Sequence, residues 1–198
     1  MIKFLNLSNQ APYAKFKKLY NLANKSDQSP TEAAAVSTYC SRTKEVSARF
    51  VNIKFVKGKD FIFFTNYNSD KSTQIISHNQ ISVTFYWASI DTQIRIKGIA
   101  KKISKNFSDE YFKNRSKLKN ALAISSQQSK QVNSYEEVIS NYKKVLIESN
   151  LKKRPKYWGG ISIKPYYFEF WTGDDQRINK REVFEKSKND WKFYFLQP

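Results

Sequence analysis

A chain of 198 residues, 40% hydrophobic and 16% aromatic, carries too much apolar surface for disorder to be its main state, and its length favours one domain. No apolar run approaches the roughly 20 residues that cross a bilayer, and the single cysteine, Cys40, excludes an internal disulfide and a Cys-rich metal site. The net charge of +18 predicts attraction to anions such as nucleic acid, acidic lipid or phosphorylated small molecules, although a chain-wide preference for Lys, Asn, Ile, Ser and Tyr accounts for it equally well.

The opening stretch, MIKFLNLSNQAPYAKF, has no small-residue cleavage site after an apolar core. A secretory leader is therefore not expected, and a reducing cytoplasm is the simplest location. Residues 11–24 read as a helix, with Tyr13, Phe16, Tyr20 and Ala23 on one face and Asn24 as a stop. Segments 33–39, 46–56 and 60–66 are rich in β-branched and aromatic residues and predict strands, the last two joined by a hairpin turn at 57–60. Ile81, Val83, Phe85 and Trp87 recur at period two and give one strand face to a core. Residues 93–103 alternate as well, and Gly98 among them suggests a bulge or a barrel corner.

Two helices follow. One begins near Ser108; the other begins at Ser134, where Ser134 and Glu137 form a capping box ahead of an apolar face of Tyr135, Val138, Ile139, Tyr142 and Leu146. Strands return at 166–171, 176–184 and 191–196, with a turn at 172–175. The pattern predicts a mainly β domain with peripheral helices (α+β), a β-barrel with helical additions, as one domain over 1–198 that opens with a helical extension at 1–29.

There is no P-loop, no GxGxxG and no cluster of metal ligands, so no metal is expected. The one histidine, His78, sits in a polar stretch and reads as a solvated loop or helix-end residue, which argues against a Ser-His-Asp hydrolase. If the chain is an enzyme, a bound cofactor carries its chemistry.

Several polar residues stand where a plain barrel would not require them. Arg49 and Lys54 bracket one strand, on opposite faces unless it bends. Ser69-Asp70-Lys71 opens a short helix after Thr65-Asn66; it reads either as a phosphate site at a helix start or as an ordinary cap with a solvated lysine. Tyr111 and Arg115, four apart on a helix, make either a phosphate clamp or an exposed pair. Gln127-Gln128-Ser129 and Arg177-Ile178-Asn179-Lys180-Arg181 are equally ambiguous alone.

In order and spacing, these pieces resemble the pyridoxamine 5'-phosphate oxidase family over residues 30–198. The matching stretches are Arg49-Phe50-Val51-Asn52-Ile53-Lys54, Phe63-Phe64-Thr65-Asn66, Ser69-x-Lys71, Phe85-Tyr86-Trp87 and Gln93-Ile94-Arg95-Ile96-x-Gly98. They continue with Tyr111-Phe112-x-x-Arg115, Gln128-Ser129, Trp158-Gly159-Gly160, Glu169-Phe170-Trp171, Arg177-x-x-x-Arg181, Trp191 and Leu196-Gln197-Pro198.

The resemblance implies a homodimer of split β-barrels, with FMN bound at each subunit interface and residues 158–198 serving dimerisation and substrate binding. It implies that Arg49, Lys71 and Ser129 face the FMN phosphate, and that Phe50, Val51, Asn52, Ile53 and Lys54 run along the flavin. Phe64, Thr65, Gln93, Gln128, Trp171 and Arg181 would complete that pocket. Lys54, Tyr111, Arg115 and Lys119 would take the phosphate of a pyridoxine-type substrate, and Arg177 and Asn179 would cover its ring as the catalytic pair. The implied reaction is hydride transfer to FMN, with dioxygen reoxidising the flavin.

Three positions depart from the family pattern. Asp70 replaces an arginine, Lys119 replaces a serine if the helix has no insertion, and Asn179 replaces a histidine. The first rival reading is therefore an FMN protein of the same fold with another substrate or little oxidase activity. A second is a basic nucleic-acid-binding barrel, against which the scattered lysines argue. No membrane partner is expected.

Overall fold

The structure, a computed structural model, describes residues 1–188 and 190–198. Ten strands make one sheet: β1 (Lys3–Leu5), β2 (Ala33–Tyr39), β3 (Val46–Asn52), β4 (Phe55–Lys57), β5 (Asp60–Asn66), β6 (Gln80–Trp87), β7 (Thr92–Lys102), β8 (Trp158–Thr172), β9 (Lys180–Ser187) and β10 (Asp190–Leu196). Their order is β1-β4-β5-β8-β7-β6-β2-β3, with β9 branching from β8 and β10 pairing with β9. The sheet coils into a split barrel whose 15-residue β8 pairs with β5, β7 and β9. Among the described residues, no helix is long and apolar enough to cross a membrane.

The first helix, α1 (Ala11–Lys25), fills the barrel rather than extending from it. Tyr13, Phe16, Tyr20 and Ala23 are buried, and the Phe16 ring meets Phe61, Phe85 and Trp87 edge-on or tilted at 4.9–5.7 Å. The expected extension over 1–29 is thus a strand, β1, followed by a core helix. The other large core rings come from the alternating faces of β5, β6 and β8, where Phe63, Phe85, Trp87, Phe168 and Phe170 are fully buried. Gly98 sits where the β7–β8 register shifts, as its place in the sequence suggests. A Cβ there would lie 2.7 Å from Ile163 Cγ2 and 2.9 Å from the Lys164 carbonyl oxygen.

Three expected elements are redrawn. The strand 46–56 breaks between β3 and β4. The Ile53 N–H donates to the Glu32 carbonyl at 2.9 Å and the Lys54 N–H to Ile62 at 2.8 Å, so the chain leaves β2 and joins β5. The helix from near Ser108 begins earlier and is two helices, α3 (Lys105–Lys113) and α4 (Lys117–Ser125). Asn114 ends the first and the Ser116 hydroxyl accepts the Lys119 N–H to cap the second, roles these short polar side chains favour over a helix interior. The strand expected at 176–184 begins only at Lys180. Asp174 Oδ1 accepts the N–H groups of Gln176 and Ile178, and Arg177 adopts φ +63°, so 174–179 is a turn. Helix α2 (Asp70–Ser77) follows β5, and α5 (Tyr135–Glu148) is capped by Ser134 as read.

Candidate functional site

A cleft of about 750 Å³ opens where β3, the bend after it, β5 and helices α2–α4 converge. It gathers Phe50, Val51, Asn52 and Lys54 from β3 and the bend, Phe64 and Thr65 from β5, and Lys71 from α2. Tyr111, Arg115, Lys119 and Gln128 line it from the helical side.

At one place in the cleft Lys71 is buried, and its Nζ donates to Thr65 Oγ1 and Ser69 Oγ at 3.1 Å and to Gln128 Oε1 at 3.2 Å. Burial first, and the neighbouring Arg49 guanidinium second, lower its pKa to about 8, with Asp70 opposing. Arg49, half-buried on β3, donates to Thr38 Oγ1 and to the Ser47 carbonyl. Burial lowers its pKa too. Neither cation forms an ion pair among the described residues. A buried lysine and a half-buried arginine, held only by neutral acceptors, make a site that an anion would complete.

At a second place the aromatic rings set an arginine in position. Tyr111 stacks on Phe64 with centroids 3.8 Å apart, and Phe64 stacks on Trp158 at 5.3 Å. The Arg115 guanidinium lies 4.4 Å from the Trp158 ring centre, and its Nη1 is buried with no hydrogen-bond partner. Burial lowers the Arg115 pKa, with Tyr111 opposing. Arg115 follows the end of α3, so it and Tyr111 meet through the helix break and not along one helix face. Lys54 pairs with Glu32 Oε1 at 3.1 Å. Burial pushes the Glu32 carboxyl up, but hydrogen bonds from the Met1 amino group, its own backbone and Lys54 outweigh that and hold it at about 2.

Eight expected residues lie outside the cleft. Arg49 is one, although its charge acts on Lys71. Ile53 is a fully buried core residue, and Ser129 is exposed at φ +71° in the loop after α4. Gln93, Trp171 and Arg181 form a cross-strand row over β7, β8 and β9 on the outer face of the sheet. Three strand spacings, about 14 Å, separate β7 from β3 in one subunit. Arg177 and Asn179 stand in the 174–179 turn, where Asn179 Oδ1 accepts the Asp174 N–H at 3.2 Å. The cleft also takes in Asn66, which the sequence placed in a motif without a role, and Ser116 and Ser126, which it did not single out. The helix-start signal at Ser116 could have shown the first turn of α4.

The match to known proteins covers most of the chain. Residues 31–146 match the family model for pyridoxamine 5'-phosphate oxidase, and residues 158–198 match that for the pyridoxine 5'-phosphate oxidase C-terminal dimerisation region. A pyridoxine/pyridoxamine 5'-phosphate oxidase from Colwellia psychrerythraea is 34% identical over 194 residues, covering 96% of this chain and 88% of the relative. The crystal structure of PhzG from Burkholderia lata, in complex with tetrahydrophenazine-1-carboxylic acid, superposes with a TM-score of 0.90 at 25% identity, over 96% of this chain and 93% of that one. A pyridoxamine 5'-phosphate oxidase-related, FMN binding protein from Nostoc punctiforme shares the fold, with a TM-score of 0.80 at 13% identity over 96% of this chain and all of that one.

Proposed function

We propose, since the chain belongs to the pyridoxamine 5'-phosphate oxidase family of oxidoreductases, that it is an FMN-dependent oxidase of pyridoxamine or pyridoxine 5'-phosphate, working as a homodimer. The observation that carries this reading is the pair of anion-demanding places in one cleft. Lys71 with Arg49 fits the phosphate of FMN, and Arg115 with its unpartnered Nη1 fits the phosphate of a substrate. Two phosphates in one cleft suit a phosphorylated cofactor meeting a phosphorylated substrate.

FMN, when bound, supplies the redox chemistry: it accepts a hydride from the substrate carbon and returns the electrons to dioxygen. The chain supplies position and charge. Lys71 and Arg49 hold the flavin phosphate, with Thr65 and Gln128, which accept from Lys71, orienting that lysine. Phe50, Val51 and Asn52 border the flavin, as the family resemblance implies. Lys54, Tyr111, Arg115 and Lys119 hold the substrate phosphate, and Arg115 enters already oriented by Trp158. Gln93, Trp171 and Arg181 line no part of the same subunit's cleft, so they serve the partner's. Phe50 at 79% and Tyr86 at 55% exposure on that outer face are the apolar surface a second copy would cover.

A second reading, an oxidase of a different anionic ring compound, draws on the substrate end. Asn179 is tied to the Asp174 backbone, and Lys119 adds a cation where the family has a hydroxyl. PhzG, with its bound aromatic carboxylic acid, has the same fold. The FMN-loaded protein assayed with pyridoxamine and pyridoxine 5'-phosphates, alongside light scattering, tests the proposal. Turnover by a particle of twice the 23.3 kDa chain is expected. No turnover in the wild type, and none gained in Asn179→His/Lys119→Ser, would favour the other substrate; a particle of single-chain mass would remove the shared site.

A further inference from the structure

Glu169 is a buried carboxylate for which the proposed oxidation has no use. It sits on β8 with its side chain 1% exposed, one residue along from the core rings Phe168 and Phe170 but facing the opposite side of the sheet. A carboxylate so placed is costly unless charge and hydrogen bonds satisfy it, and here they do. Arg181 Nε and Nη2 approach Oε1 at 2.9 and 2.8 Å. The Tyr167 hydroxyl donates to Oε2 at 2.9 Å, and Arg95 Nη1 lies 3.2 Å away.

The two arginines are not held alike. Arg95 touches the carboxylate through one nitrogen and its side chain is 44% exposed, so much of it remains free. Arg181 is attached at two points, and its Nη1 donates to the Gln197 carbonyl oxygen at 2.9 Å. Two contacts to the carboxylate and a third to Gln197 hold the guanidinium in place, which a single contact cannot do. The guanidinium is held beside Trp171, the cross-strand partner of Arg181.

We propose that Glu169 is a positioning residue: through its two-point bond to Arg181 it holds the guanidinium in place beside Trp171 and thereby sets how tightly flavin is held. The role rests on the proposed place of Arg181 in the flavin pocket. It requires the carboxylate charge and its reach, not merely a polar group filling the space between β7 and β9.

The test compares FMN affinity, read by quenching of flavin fluorescence, and the absorption band of the bound flavin. The proteins are wild type, Glu169→Gln, Arg181→Ala and the double variant, each first shown to be dimeric. Glu169→Gln should weaken FMN about tenfold and move the flavin band toward its position in Arg181→Ala. In the Arg181→Ala background it should cost nothing further, because its whole effect runs through that arginine. Should Glu169→Gln not form the dimer, Glu169→Asp keeps the charge, withdraws it by one methylene, and carries the same expectation. Wild-type affinity and an unmoved band in the Glu169 variant, or losses that multiply in the double variant, would overturn the role of Glu169. Failure of the wild type to bind FMN, or full affinity in Arg181→Ala, would overturn the flavin reading itself, and arises with Glu169 intact.

Discussion

Lys71 shows how a single residue can turn a cleft into a receptor. Its pKa of about 8 against an ordinary 10.5 means that the fold disfavours its charged form. Between those values the unfolded chain binds more protons than the folded one, so the flavin-free protein should gain stability as pH rises through 8. A phosphate beside Lys71 reverses the preference and draws the proton back. FMN affinity should therefore fall as pH climbs past about 8, whereas riboflavin, lacking the phosphate, should bind independently of pH over that range. Titrating both flavins from pH 7 to 9.5 checks this. A parallel decline for the two would place Lys71 away from the phosphate.

Among the elements, β7 and the α3–α4 pair show opposite degrees of dependence on local signals. Gly98 stands where β7 and β8 slip register, and any side chain would press on the Lys164 backbone. Gly98→Ala should cost about 1–3 kcal/mol of stability, as overpacking in a tight interior does, and thermal unfolding of the variant measures it. A change within error would mean that the sheet can open there. That bulge was legible because a glycine inside an alternating strand has few other uses. The break at Ile53–Lys54 was not, since Val46–Val56 is uniformly strand-forming and only the competing partners, β2 on one side and β5 on the other, decide where it bends. The division of α3 from α4 was half-visible in Asn114 and Ser116, but the aromatic contacts that hold Arg115 in the gap are long-range. Of the site, the residues of the cleft were recognisable from the order of motifs. That Gln93, Trp171 and Arg181 form a separate row depends on strand order, which no local pattern encodes.

At the scale of the whole molecule, the chain arranges its parts so that one strand links three regions. The barrel wall, the helical side of the cleft and the outer face all meet β8. Trp158 near its start carries the stacked Arg115, and Trp171 near its end stands beside Arg181. The core rings Phe168 and Phe170 lie between them.

That shared strand has a consequence for how the protein opens. Between Ile161 and Ile163, β8 is flanked by β5 and β7, and between Tyr167 and Thr172 by β7 and β9, so its amides are the last to meet water. Among the described strands the β9–β10 hairpin pairs only with β8, and it exposes Phe193 and Phe195. Amide deuterium uptake should accordingly be slower along 161–170 than in 180–187 and 190–196 for the flavin-free chain, with flavin slowing the hairpin far more than the strand beneath it. Uniform protection across both segments would mean that barrel and hairpin come apart as one unit. With the expected gradient, the hairpin can peel away and return while the barrel stays folded, giving a route for the flavin to leave without unfolding the protein.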